Sequence, residues 1–413
     1  MNHNRYHYKM ETNENAIQFD KHVLVCLDSL NETIERDSRL DYLLNNFCGR
    51  VCAEKEYLHT LTADIFIYLC GDIRKIYDYV DVKKYAIFVV AELSSHFDEN
   101  CDDYEVIRLG QIPINVHGMG IYFREFFDPF QNYFELVKSQ HQFQQLTESN
   151  KPSHAFRKGI YLTPVKDNDG ELEYHLLRCS SNLDGPTDNF RSVDHEIVGQ
   201  VNSICQCFFE QPVILNHVLA QIYQNNDGRK AKIKAHSDKT KDMPKNGVIA
   251  FCTFYDNIRC NRQIIRSETD PFDFVYKGTS VLTRLCFKLK ECVQSDDLAK
   301  EFTVTLYPNS VFIIPLSTNR LYTHEIKPSV IYLDPMPIRM GYVIRCAKTK
   351  AIHVGDRTYL ESDDERVPLE PMTEDQMSRL RSLYYEENTT DKFIDYGTID
   401  FSMNSGDYLM PIV

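Results

Sequence analysis

The sequence predicts an α+β protein in which a mostly helical N-terminal unit precedes a sandwich or barrel of β-strands. Three observations carry this expectation. Apolar residues recur at spacings of three and four as far as about residue 96, and the period changes to two beyond about residue 155. The length of 413 residues exceeds the ~100–200 usual for one domain, and a hydrophobic content of 43% is enough for a sizeable core.

Taken in order, residues 1–15 are polar and expected to be a disordered tail. Between Phe19 and His96, "HVLVCLDSL", "RLDYLLNNF" and "ADIFIYLCGDIRKIYDYV" read as helices, with almost no glycine or proline. An aromatic-rich helix is expected around "GIYFREFFDPFQNYFELVKSQHQF", where the aromatic stripe suits packing. Residues 16–150 thus read as one mostly helical domain, a surface on which a protein partner could dock. The polar stretch "TESNKPSHAF" reads as a linker. Beyond it, "KGIYLTPV", "EYHLLRCS", "GVIAFCTFY", "SVLTRLCF", "EFTVTLYP", "SVFIIPL", "RLYTHEI" and "RMGYVIRC" are short and rich in β-branched and aromatic residues, so 151–350 is the strand-built domain. Residues 351–413 are an acidic extension with 14 Asp/Glu against 5 Lys/Arg, and Thr373 followed by Gln376 signals its one helix.

The net charge of −14 argues against a protein that coats nucleic acid through a uniformly basic surface. Against that background, Arg229 to Lys245 gathers seven basic residues. Thirteen cysteines form no C-x-x-C pair or regular framework, and the nearest pairs, Cys48/Cys52 and Cys205/Cys207, are expected to be reduced and structural. No apolar run approaches the ~20 residues that span a bilayer, and the polar start lacks a signal peptide's apolar stretch. The expectation is an intracellular soluble protein, of cytoplasm or nucleus.

Within the basic run stands "KIKAHSDKTKD". Residues two apart on a strand point the same way, so His236 and Asp238 converge while Ser237 faces away. Two such ligands do not hold a divalent metal. His324 in "NRLYTHEIKPS", near the end of another β-like run, is the candidate third ligand, with His353 weaker because no strand positions it. Two histidines and one carboxylate form a facial triad that leaves the opposite face of the metal open. In "RMGYVIR", Arg339 and Arg345 are six apart and so share a face with Gly341 and Val343, and two guanidinium forks on one face suit a dicarboxylate. Taken singly, H-x-D suits a surface turn and paired arginines suit a solvated edge. It is their order along the chain that is specific.

That order, H-x-D, a distant His, then R-x5-R, resembles the AlkB-type 2-oxoglutarate/Fe(II) dioxygenases. The resemblance covers about residues 155–350 and is clearest in "LNHVLAQIYQNNDGRKAKIKAHSDKTKDMPKNGVIAFCTFY". Members carry an Asn-x-x-Leu-x-Asn-x-Tyr strand before H-x-D, and Asn216, Leu219, Gln221 and Tyr223 stand in that pattern. Gln221 replaces the usual asparagine, and Gly341 stands where many members have another that helps to bind the co-substrate, so the hydrogen bonding there differs. The long interval from His236 to His324 implies an insertion near "DNIRCNRQIIRSETDPFDF". The resemblance implies a double-stranded β-helix (jelly-roll) core with Fe(II) held by His236, Asp238 and His324 at its mouth. It implies 2-oxoglutarate held by Tyr223, Gln221, Arg339 and Arg345, and consumption of dioxygen to hydroxylate a C–H bond or remove an N-methyl group.

Lys232 and Lys234 share the parity of His236, and with Lys239 they form a basic rim that suits a phosphate-bearing substrate, DNA or RNA. The same lysines would equally solvate a hairpin. "LRCSSNLDGPTDNFRSVD" is loop-like, either a substrate lid or an ordinary connection. The main expectation is oxidative demethylation or hydroxylation of a nucleic-acid base. A protein hydroxylase or demethylase of the same superfamily is the first alternative. An inactive binding module is the second, and the intact set of ligands and arginines speaks against it.

Overall fold

Strands dominate the chain, and each of the eight segments with a period of two contributes one. The computed structural model describes residues 14–413 except 29–36, 53–63, 79–81, 149–150, 180–182, 212, 225–229, 257, 259–262, 332–335 and 363–364. At its centre are eight strands: His217–Tyr223, Ile233–His236, Val248–Tyr255, Arg284–Leu289, Glu301–Thr305, Ser310–Pro315, Tyr322–Lys327 and Arg339–Arg345. They wind between two sheets. One sheet places the first, eighth, third and sixth side by side, and the other the second, seventh, fourth and fifth. Every one of these neighbouring pairs is antiparallel.

Alternation along the strands separates two cores. From the first sheet Ile249, Phe251, Phe312 and Ile314 face inward to meet Leu285, Phe287 and Ile326 of the second. Residues of opposite parity, such as Ala250, Phe254, Tyr342 and Ile344, face outward and are covered by the helices Tyr133–Gln140 and Ser192–Phe208. The longer helix is amphipathic, burying Val193, Ile197, Val201, Cys205 and Phe208 at spacings of three and four. Buried on both faces, the four strands of the first sheet leave no solvent side, which is why their sequences are apolar almost throughout.

A charged staple fixes these helices. His141, at the end of the shorter helix, places Nδ1 2.7 Å from Asp188 and Nε2 2.8 Å from Asp194, so both ring nitrogens donate. Burial opposes the charge, but the two carboxylates prevail and raise its pKa to about 9. The folded value lies above the ordinary 6.5, so the stabilisation is complete below pH 6.5 and is lost as the pH rises through about 9. At ~1.4 kcal/mol per pKa unit this amounts to roughly 3 kcal/mol. Urea midpoints should therefore fall between pH 6 and pH 9.5 in the wild type and stay nearly level in His141→Gln; an equal fall in both would exclude His141 as the cause.

Among the described residues, the mostly helical N-terminal domain expected at 16–150 is not seen. His22–Cys26, Arg50–Cys52, Phe66–Asp72, Ala86–Ser95 and Glu105–Ile107 form a five-stranded sheet, all parallel, beside which stand the helix Ser38–Asn46 and short 3-10 turns. The misreading has a physical cause. All five residues of "HVLVC" are buried, and a parallel strand covered on both faces reads as a continuous apolar run that periodicity alone does not separate from a buried helix. Length and β-branching decide between them: runs of five to seven rich in Val and Ile favour strands. Of the three helical readings, "RLDYLLNNF" is a helix and the other two are strands at their apolar centres. The aromatic helix is split likewise, with Gly120–Phe123 a strand and only Tyr133–Gln140 helical. One face of the parallel sheet closes its own core through Val23, Ile67, Leu69 and Val89; the other, with Leu24, Tyr68 and Val90, joins the core of the sandwich.

Two smaller expectations also change. Of the tail at 1–15, residues 1–13 lie outside the described residues, while Glu14 and Asn15 are buried, Glu14 against Arg320 and Asn15 against Gln211 and Asn246. The stretch read as a linker runs through an antiparallel hairpin of Gln144–Glu148 with Lys151–Thr163. The insertion expected near residues 256–274 contributes to a small sheet of Ile265–Arg266, Phe274–Tyr276 and Thr279–Ser280.

The acidic extension is built into the fold. Thr349–Val354, Arg357–Ser362 and Glu365–Pro368 extend a sheet that begins with Lys166–Asn168 and Glu171–Leu176. The helix Glu374–Thr389 starts with the expected cap, Thr373 accepting from the Gln376 N–H while the Gln376 side chain accepts from Thr373 N. Among the described residues no helix is long and apolar enough to cross a membrane, and the cysteines are free.

Candidate metal centre and active site

The second and seventh strands bring the two histidines face to face, with His236 paired directly to His324 across the ladder. Three steps on one strand, Ile233 to His236, match two on the other, so one extra residue bulges between them and breaks the parity assumed for Lys234 and His236. The imidazole rings lie 4.5 Å apart, and Asp238 Oδ1 sits 3.6 Å from His236 Nε2 and 3.8 Å from His324 Nε2. One ligand atom from each residue falls within 4.8 Å of the others. Among the described residues this is the one group of three or more potential ligands so arranged. His353 is elsewhere, buried in the C-terminal sheet with Nδ1 3.0 Å from the Thr358 hydroxyl.

Each of the three candidate side chains meets a neighbour that fixes its state. His236 Nδ1 is 2.9 Å from the Lys234 carbonyl, which can only accept, so that nitrogen donates and Nε2 is the one turned towards Asp238. His324 is buried beside the rings of Phe251 and Phe287, and burial pushes its pKa down to about 3, which leaves the imidazole neutral. Burial alone would raise the pKa of Asp238, but the Arg345 guanidinium overrides it and holds the carboxyl well below its ordinary value. Arg345 donates to Oδ2 from Nε at 2.9 Å and Nη2 at 2.7 Å, leaving Oδ1 towards the histidines.

The two arginines of "RMGYVIR" therefore differ in their commitments. Arg345 is engaged with the Asp238 carboxylate. Arg339 is only 4% exposed, and its Nε and Nη2 have no hydrogen-bond partner among the described residues. Its guanidinium lies 4.0 Å over the Tyr223 ring, whose hydroxyl donates to Gln221 Oε1 at 3.0 Å. Gly341 makes the room: a Cβ there would lie 3.0 Å from Arg339 Nη1 and 3.3 Å from the Tyr223 ring.

All these groups line one cavity of about 660 Å³ between the two sheets. Its walls also carry Arg157, Lys232, Lys234 and Lys239, and the sole carboxylate among its described lining residues is Asp238. The basic run itself is largely committed. Lys241 is buried on Asp242, Lys239 lies 4.4 Å over the Tyr384 ring, and Lys245 lies 5.0 Å over Phe393. Lys232 and Lys234 are the members of the proposed rim that remain exposed. The stretch considered as a lid contributes Cys179 to the wall before residues 180–182, which lie outside the described residues.

Sequence reasoning missed Asn319 and Asn388, whose side chains hold the backbone between His236 and Asp238 from two sides. No spacing pattern marks either: Asn319 lies on the short helix that leads into the His324 strand, and Asn388 comes from the helix Glu374–Thr389.

No protein-family model and no curated protein matches the chain. Among solved structures it is similar to OsALKBH1, with 11% identity over 55% of this chain and 97% of that chain and a TM-score of 0.33. It is also similar to the non-heme alpha ketoglutarate dependent epimerase SnoN from nogalamycin biosynthesis, with 9% identity over 62% of this chain and 91% of that chain and a TM-score of 0.33.

Proposed function

We propose that this chain is an Fe(II)- and 2-oxoglutarate-dependent oxygenase of the AlkB-like type that oxidises a nucleic-acid base. The observation that carries the reading is Arg339. A buried guanidinium with two uncommitted nitrogens is costly, and here it faces the cavity that also holds the two histidines and the carboxylate. A dicarboxylate reaching from the metal ligands to Arg339 would use both features.

The donor set fits the metal: two imidazole nitrogens and one carboxylate oxygen suit Fe(II), and the cavity leaves space beside them for further ligands. The order of the eight strands in the two sheets supports reading them as a double-stranded β-helix. When bound, iron and 2-oxoglutarate would supply the oxidation, dioxygen hydroxylating a C–H bond as the co-substrate becomes succinate and carbon dioxide. The chain's own residues do the rest. Arg339 offers a fork to the far carboxylate, with the Tyr223 ring beneath it. Arg345 keeps Asp238 ionised, and Phe251 and Phe287 keep water from one side of His324. Lys232 and Lys234 would attract a phosphate backbone at the mouth.

Succinate release tests the reading. Purified protein with Fe(II) and 2-oxoglutarate should respond to methylated single-stranded DNA or RNA, and His236→Ala should not. Stimulation by a methylated peptide alone would move the substrate to protein. Absence of both turnover and 2-oxoglutarate binding would remove the oxygenase assignment.

A further inference from the structure

The backbone between the metal ligands has lost its strand partners. The strand Ile233–His236 ends at the first histidine, so the N–H groups of Ser237 and Asp238 need acceptors other than a ladder. Two asparagine side chains supply them. Asn388 Oδ1, from the last turn of the C-terminal helix, accepts from Ser237 N at 2.7 Å. Asn319 Oδ1, from the short helix Leu316–Leu321, accepts from Asp238 N at 2.8 Å, and its Nδ2 donates to the Asp238 carbonyl at 2.8 Å. Asn388 is itself aimed by a bond from its Nδ2 to the Tyr384 carbonyl.

The extension grips the rest of the loop as well. Glu387 Oε1 accepts from Thr240 N at 3.0 Å, and Lys290 donates to the Glu387 and Thr390 carbonyls. At the far end of the loop Asp242 is held by Arg178, which also donates to the carbonyls of Ile399 and Phe401.

We propose that the C-terminal extension is part of the metal centre: Asn388, opposed by Asn319, positions the loop so that His236 and Asp238 meet His324 at one point. This rests on the metal site proposed above. Both asparagines are positioning residues, since neither offers an atom to the metal. Side chains that orient ligands in this way typically contribute 10–100-fold to metal affinity.

The test is Co(II) and Mn(II) titration of the full-length apoprotein, with thermal unfolding recorded alongside. Asn388→Ala should weaken metal binding about tenfold. Thr373→Ala removes the cap at the opposite end of the same helix, so it should lower the melting temperature yet leave metal affinity within about twofold of wild type. That contrast separates positioning from general stability. Unchanged affinity in Asn388→Ala, or equal weakening in both variants, would overturn the proposal. A wild-type protein that binds neither metal would overturn the metal centre itself, and this inference with it.

Discussion

Asp238→Ala should lose divalent-metal binding and become markedly less stable in the same step. The two effects have separate causes. Metal binding fails because the one carboxylate of the triad is gone. Stability falls because Arg345, only 8% exposed, loses the acceptor of both its Nε and Nη2 bonds and is left as an uncompensated buried charge. Breaking a buried pair from one side costs about 3–5 kcal/mol. Asp238→Asn retains an oxygen that can accept from the guanidinium, so it should recover part of the stability and none of the metal affinity. Urea denaturation and metal titration on the same preparations measure both. An alanine variant as stable as wild type would show that Arg345 does not depend on this carboxylate.

Arg339→Met should separate affinity from stability in the opposite sense. Among the described residues the wild-type guanidinium has the Tyr223 ring against it and two nitrogens without a hydrogen-bond partner, so an apolar side chain of similar length should leave stability unchanged or raise it. Binding of 2-oxoglutarate should nevertheless fall. Losing two charge-assisted hydrogen bonds at about 1.5 kcal/mol each weakens binding by roughly 100-fold. Metal affinity should stay at the wild-type value, because Arg339 touches none of the three ligands. Calorimetric titration of 2-oxoglutarate into the Mn(II)-loaded protein checks this. Equal affinity in both proteins would exclude Arg339 as the carboxylate partner.

How far the sequence was legible follows from what each signal depends on. Strands of the sandwich announced themselves because short β-branched runs punctuated by turn residues survive in one dimension. His236, Asp238 and His324 could be grouped because the first two are two apart and the third lies near the end of another β-like run; the structure brings one atom of each within 4.8 Å of the others. The N-terminal sheet was misread because burial on both faces of His22–Cys26 erases the period that would have distinguished strand from helix. Parity placed Arg339 and Arg345 on one face but is silent about neighbours across the sandwich, so the engagement of Arg345 with Asp238 became visible only in three dimensions. Asn388 is further still from inspection, since 151 positions separate it from Ser237.

Arg320 has a bearing on how this protein is made. Its guanidinium gathers the Glu14 carboxylate from one end of the chain and the Asp391 carbonyl from the other, and its neighbour Asn319 grips Asp238. Synthesis runs from the first residue to the last, so the parallel sheet and the sandwich strands leave the ribosome while residues 388–391 are still to be joined. A polypeptide stalled there would carry both histidines and the aspartate, but of the two asparagines only Asn319 would hold the loop between them. Divalent-metal affinity is thus expected to be complete only once residues 388–391 have been made and have folded onto that loop.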